Sequence, residues 1–153
     1  MSHFLSREDF SHLVRIAPLV SIDLILRDPQ DCVLVGWRNN APARASWFVP
    51  GGIVRKNERL DEAFLRILKG ETGLEIPRSA ARLLGAYEHI YPDNRFGDPD
   101  YNTHYVVLGH ELRLETRPVV TPDSQHGEMR WMPVAELLSR PDVHENTKAY
   151  FRV

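Results

Sequence analysis

Leu60, Ala63, Phe64, Ile67 and Leu68 recur at i, i+3, i+4, i+7 and i+8, and this apolar stripe constrains the chain more than any other feature. The spacing predicts a helix over Leu60–Thr72, closed by Gly73 in a left-handed cap. Most of what surrounds it has strand character. Leu19–Leu26, rich in leucine and β-branched residues, reads as a largely buried strand, and Cys32–Trp37 as a second. A turn at Asp28, Pro29, Gln30 and Asp31 joins the two into a hairpin. After a polar loop over Arg38–Ser46, Trp47–Val49 reads as a short strand stopped by Pro50, Gly51 and Gly52. Further strands are expected at Leu83–Tyr91, His104–Glu115 and Glu128–Met132. A shorter helix over Ser6–Ile16 has Ser6 as its cap, Glu8 and Asp9 at the positive end of its dipole, and Pro18 as its stop. Pro133 opens a helix over Val134–Ser139, and Val143–Phe151 forms a last helical piece. This order implies an α/β (α+β) fold in which a mixed β-sheet is sandwiched between helices.

With 153 residues and no internal repeat, residues 1–153 are expected to form one domain, which excludes solenoids and multidomain arrangements. A chain of this size buries roughly 70% of its unfolded surface, so its core needs neither disulfides nor a structural metal. The single Cys32 cannot form an internal bridge and fits a reducing compartment. A net charge of −2 gives no pull toward nucleic acid or an anionic membrane, so neither is expected as a partner, and local cations must catch any phosphate ligand. No apolar stretch approaches the ~20 residues of a membrane span, and Glu8 and Asp9 interrupt the segment where a signal peptide would need an apolar core. A cytoplasmic location is expected.

Two features of the chain point to chemistry. The connection Pro92–Thr103 is long enough to carry function. Glu71, placed on a helical wheel, falls between Leu60 and Phe64 in the apolar stripe, in the last turn where the helix dipole repels a carboxylate. Five residues separate Gly52 from Glu58 and seven separate Glu58 from Arg66, after which Leu68, Glu71, Gly73 and Leu74 follow at fixed offsets. This spacing resembles the Nudix box. Two positions depart from it, since the box expects Glu where this chain has Ile67 and Gly70. Box carboxylates at that end of the helix bind the divalent metals of Nudix enzymes, and here only Glu71 remains.

The same two losses occur in the GDP-mannose mannosyl hydrolases, and the resemblance to that branch runs nearly the whole chain. It includes Phe4-Leu5 with Glu8-Asp9-Phe10, Pro18 to Ser21, Trp47 to Gly52, Thr103 to Gly109, Pro122-Asp123 with Gln125-His126, and Val143-His144. The resemblance implies one Mg2+ per active site, replaceable by Mn2+, held by the Gly51 carbonyl, Glu71 and Gln125. It implies His126 as general base, and Asp23, Arg38, His89 and Tyr105 as contacts to the sugar or the diphosphate, with Arg38 serving catalysis as well. It further implies a homodimer, a GDP-sugar as the bound partner and a place in bacterial surface polysaccharide metabolism. An arginine that often follows the double glycine in this branch is replaced by Ile53, and Arg55, two residues on, is the nearest cation that can stand in.

The residue chemistry is consistent with this assignment. Mg2+ takes oxygen ligands and keeps several waters, so one carboxylate, two neutral oxygens and substrate phosphates form a reasonable set. Attack by water at a sugar carbon needs a base near neutral pKa, which histidine supplies. Asp23 in an apolar strand must either pair with an arginine or meet a sugar hydroxyl. The expected activity is hydrolysis of GDP-mannose, or GDP-glucose, to GDP and free hexose by inverting attack at the anomeric carbon. Two other readings remain open: a pyrophosphohydrolase that attacks phosphorus of a nucleoside diphosphate derivative, and a nucleotide-sugar-binding domain without catalysis.

Overall fold

A computed structural model describes residues 5–120 and 126–152, with His126 by its backbone alone. Helix α1 (Arg7–Ile16) begins as expected, the Ser6 hydroxyl accepting a hydrogen bond from the Asp9 amide at 3.1 Å. Strands β1 (Leu19–Arg27) and β2 (Cys32–Arg38) flank a turn in which Asp28 Oδ1 accepts from the amides of Gln30 and Cys32, each at 2.9 Å. The expected hairpin exists only at its closed end: β1 and β2 pair at Arg27 and Val33 and then part.

Each strand also takes other partners. β1 runs parallel to β6 (Thr103–Arg113) in an unbroken register from Leu19–Tyr105 to Arg27–Arg113. On its other side it pairs antiparallel with β4 (Gly51–Ile53). β2 pairs with β3 (Trp47–Phe48) and with β7 (His126–Pro133), and β5 (Arg82–Tyr91) lies antiparallel on β6 at the sheet edge. The sheet is therefore mixed, in the order β3-β2-β1-β6-β5, with β4 and β7 as side branches.

Two expectations need correction. The double glycine does not end the strand character begun at Trp47; after Pro50 the chain resumes pairing as β4, because Gly51 brings no side chain against Asp23 of β1. At the C-terminus, Val143 is extended and bridges Trp47, so helix is confined to α4 (Glu145–Lys148) and a 3-10 turn over Ala149–Phe151. The expected helix over Val134–Ser139 is present as α3.

Helix α2 (Leu60–Thr72) covers one face of the sheet, as its stripe requires, with Ala63, Phe64, Ile67 and Leu68 buried against Ile22, Leu24, Leu26 and Leu112. At ~1.5–3 kcal/mol per large buried side chain, this contact is a main source of stability. Gly73 ends the helix at φ 81°, its amide donating to Lys69 O at 2.8 Å. A second cluster of Ile25, Val33, Val35, Trp47, Met132, Leu137 and Val143 packs the opposite side against α3 and the C-terminal segment. Among the described residues no helix is long and apolar enough to cross a membrane.

Candidate active site

The spaced motif does two separate jobs. Arg66 Nε donates to Glu58 Oε2 at 2.7 Å and its Nη2 to Glu58 Oε1 at 2.9 Å and to the Ile53 carbonyl at 2.7 Å. Glu58 Oε1 also accepts from the Arg55 amide at 2.9 Å. These bonds tie the loop after β4 to α2, and the Arg66 hydrogen bond is what holds the Glu58 carboxyl below the usual carboxylate range. Arg55 stands in the turn beyond β4, its charge beside Glu58, rather than on an extension of the strand.

The second job falls to the other end of the motif. Ile67, at one of the two departed box positions, is 3% exposed, and its Cγ1 would lie 3.0 Å from a Cβ built on Gly52. It is a packing residue of the α2–β4 contact. Gly70, the other departed position, is exposed and faces open space. Glu71 follows Ile67 by one turn on the same side of α2 and is half-buried. Gly51 forms a non-hydrogen-bonded pair with Asp23, since ladder bonds fall at Leu24–Pro50 and Val20–Val54, so its carbonyl points away from β1. Among the described residues no three His, Cys, Asp or Glu side chains gather into a metal cluster. Gln125 lies outside the described residues.

On the opposite face of the sheet, an aromatic cluster forms around three of the four expected substrate contacts, and the charge of the fourth, Arg38, acts on Asp23 and Tyr105. Leu19 pairs with Tyr105 and Tyr105 with His89, while Asp23 is four residues along β1 from Leu19, so Asp23, Tyr105 and His89 share a face. Arg38 reaches the cluster from the end of β2, its guanidinium 5.7 Å from the centre of the Phe48 ring. His89 is 3% exposed, with its ring 6.3 Å from Phe48 and 6.3 Å from Tyr91. Two buried nitrogens here, Arg38 Nε and His89 Nε2, have no hydrogen-bond partner among the described residues. Such groups are costly unless something else satisfies them.

Asp23 meets neither an arginine hydrogen bond nor bulk solvent. The Tyr150 hydroxyl donates to its Oδ2 at 2.6 Å, and the residue is 8% exposed. Burial pushes its pKa up to about 7, against the pull of that hydrogen bond and of the Arg38 charge. Tyr105 is half-buried, 6.2 Å from the Tyr91 ring; burial raises its pKa while Arg38 and Arg95 lower it. His126 begins β7 directly opposite Arg38 in the β2 register, so its backbone is beside the cluster.

Sequence reasoning missed Phe48, Tyr150 and His144 as the side chains packed around His89 and Asp23. His144 Nδ1 accepts from the Asn146 amide at 3.0 Å, and its ring lies 4.9 Å from Phe48 and 5.5 Å from Tyr91. A signal for Tyr150 did exist, because a buried Asp23 demands a donor. The C-terminal segment simply carried no pattern that singled one out.

The buried histidines give the fold a pH dependence. Burial, reinforced by His144, pushes the pKa of His89 down to about 4, and burial also lowers His110 and His144. The unfolded chain thus binds more protons below about pH 6.5. The stability these rings contribute is complete above that pH and is lost progressively as the pH falls toward 4. The urea midpoint is expected to drop over this window, and less steeply in His89→Phe; an identical slope in that variant would show that His89 takes no part.

A model of the NUDIX domain matches residues 17–153. This chain belongs to the Nudix family. The Nudix chain is 36% identical over 123 residues to the low-salt glycan biosynthesis protein Agl8 of Haloferax volcanii, covering 80% of this chain and 76% of that protein. It is 39% identical over 78 residues to the ADP-ribose pyrophosphatase of Methanocaldococcus jannaschii, covering 51% of this chain and 44% of that one, so it spans under half of that relative. Among solved structures, it is similar to the MutT protein of Methanosarcina mazei Go1 at a TM-score of 0.70 and 17% identity, covering 88% of this chain and 91% of the other. That likeness establishes the Nudix fold, a mixed sheet flanked by helices.

Proposed function

We propose that this Nudix hydrolase cleaves GDP-mannose, or a closely related GDP-hexose, to GDP and free hexose. The observation that carries this reading is the aromatic cluster around Phe48, where Arg38 Nε and His89 Nε2 are buried without partners among the described residues. A sugar diphosphate supplies what they lack: phosphate oxygens for the guanidinium, and hydroxyls for the imidazole, Asp23 and Tyr105. The likeness to Agl8, a glycan biosynthesis protein, supports a sugar-bearing substrate.

Gly51, Glu71 and Gln125 are the residues that would hold Mg2+ or Mn2+, and all three offer hard oxygen atoms. Nudix hydrolases generally use divalent ions, and the bound ion would supply positive charge at the diphosphate. The chain's own residues do the rest. His126 takes a proton from the water that attacks the anomeric carbon; the C1–O bond breaks and its electron pair leaves with the diphosphate, where Arg38 stabilises the charge. Ile67, packed into the core, leaves that end of α2 with fewer carboxylates than attack at phosphorus ordinarily recruits.

One experiment separates this from the pyrophosphohydrolase reading, which the M. jannaschii relative favours. Hydrolysis of GDP-mannose in heavy-oxygen water with Mg2+ is expected to give GDP and mannose, with label at C1 and the β anomer appearing first by NMR. GMP and mannose 1-phosphate with label on phosphorus would move the protein to the other reading. Absence of turnover with retained binding would make it a nucleotide-sugar-binding domain.

A further inference from the structure

Across the sheet, Asp23 stands in a row whose other members are glycine. It lies opposite Gly51 of β4 and Gly109 of β6, and Gly109 lies opposite Gly85 of β5. The bare row has an occupant. The ring of Tyr150, delivered by the turn over Ala149–Phe151, lies directly on Gly109, where a Cβ would come within 2.7 Å of its Cε1. Tyr87 packs edge-on against that ring at 4.6 Å, and His89 lies 6.3 Å away. In this seat the hydroxyl donates to Asp23 Oδ2 at 2.6 Å. The other oxygen, Oδ1, is left against Gly51, where a Cβ would overlap it.

We propose that Tyr150 is a specificity-determining positioning residue. By holding Asp23 Oδ2 it fixes where Oδ1 stands, and so which hydroxyl configuration of the hexose the site accepts. An acceptor fixed by a packed ring favours the epimer whose hydroxyl meets it, because the other epimer leaves it unpaired and buried. An acceptor free to turn follows either epimer. The inference rests on the GDP-hexose reading and adds to it a residue that acts through Asp23 without touching the reacting atoms.

The test compares kcat/KM for GDP-mannose and GDP-glucose, which differ at C2, in wild type, Tyr150→Phe and Gly109→Ala. Tyr150→Phe keeps the ring on Gly109 and removes only the hydroxyl, while Gly109→Ala unseats the ring. Both variants are expected to reduce the discrimination ratio by about tenfold, the equivalent of one hydrogen bond, with KM for the preferred sugar rising more than kcat falls. An unchanged ratio in a Tyr150→Phe protein that melts like wild type overturns the inference and leaves the GDP-hexose reading standing. Failure of the wild type to hydrolyse either sugar overturns both.

Discussion

His126→Gln is expected to lower kcat on GDP-mannose by about 100- to 10,000-fold, the range for loss of a general base, with little change in melting temperature. The backbone of His126 opens β7 opposite Arg38, so the proposed base starts from the strand position beside the guanidinium proposed to meet the diphosphate. Exchanging the ring for an amide of similar length leaves that strand pairing intact. Because the base must be unprotonated to accept the proton from water, its loss also removes the acidic limb of the pH–rate profile. A variant that keeps this limb at the same apparent pKa would assign the base to another group, and His144, whose ring packs on Phe48 and Tyr91, is the first to examine.

Glu71→Gln is expected to cost about 100- to 1,000-fold in kcat, as for a lost electrostatic contact to the reacting phosphates. The change removes the one carboxylate that the proposed metal set contains. It leaves the Glu58–Arg66 bonds and the buried contacts of Ile67 and Leu68 untouched, so stability is expected to hold. Raising Mg2+ should restore part of the rate. Turnover close to wild type at ordinary Mg2+ would dismiss Glu71 as a metal ligand.

The part of the fold legible in the sequence was whatever a periodic pattern writes locally. The stripe from Leu60 to Leu68 specified α2 and its buried face, and Ser6 and Gly73 marked helix ends that the structure keeps. Pairing partners were less legible, because they depend on residues far apart in the chain. Nothing between Leu19 and Trp37 says that β1 and β2 separate after one pair, or that β1 then runs parallel to β6. Gly51 and Gly52 looked like a stop because glycine usually weakens a strand; here Gly51 continues the pairing because Asp23 occupies the space a side chain would need. Asp23, Arg38, His89 and Tyr105 enter as substrate contacts only through the family resemblance; the register sets Asp23, Tyr105 and His89 on one face of the sheet, with the charge of Arg38 acting on Asp23 and Tyr105. Phe48, His144 and Tyr150 became visible only when the C-terminal segment folded back across the sheet.

The contact between Ile67 and Gly52 gives the chain's departure from the Nudix box a direction. Most Nudix boxes carry a carboxylate where Ile67 fills a seat between α2 and β4. A chain that has exchanged charge for packing at such a position gains apolar burial at once, whereas the reverse exchange must desolvate a carboxylate before any metal rewards it. The two mutational steps are therefore not mirror images. Engineering this scaffold toward attack at phosphorus means rebuilding the floor beneath Gly52 first, and only then restoring the ligand, because the acid alone arrives in a place already shaped for a hydrocarbon.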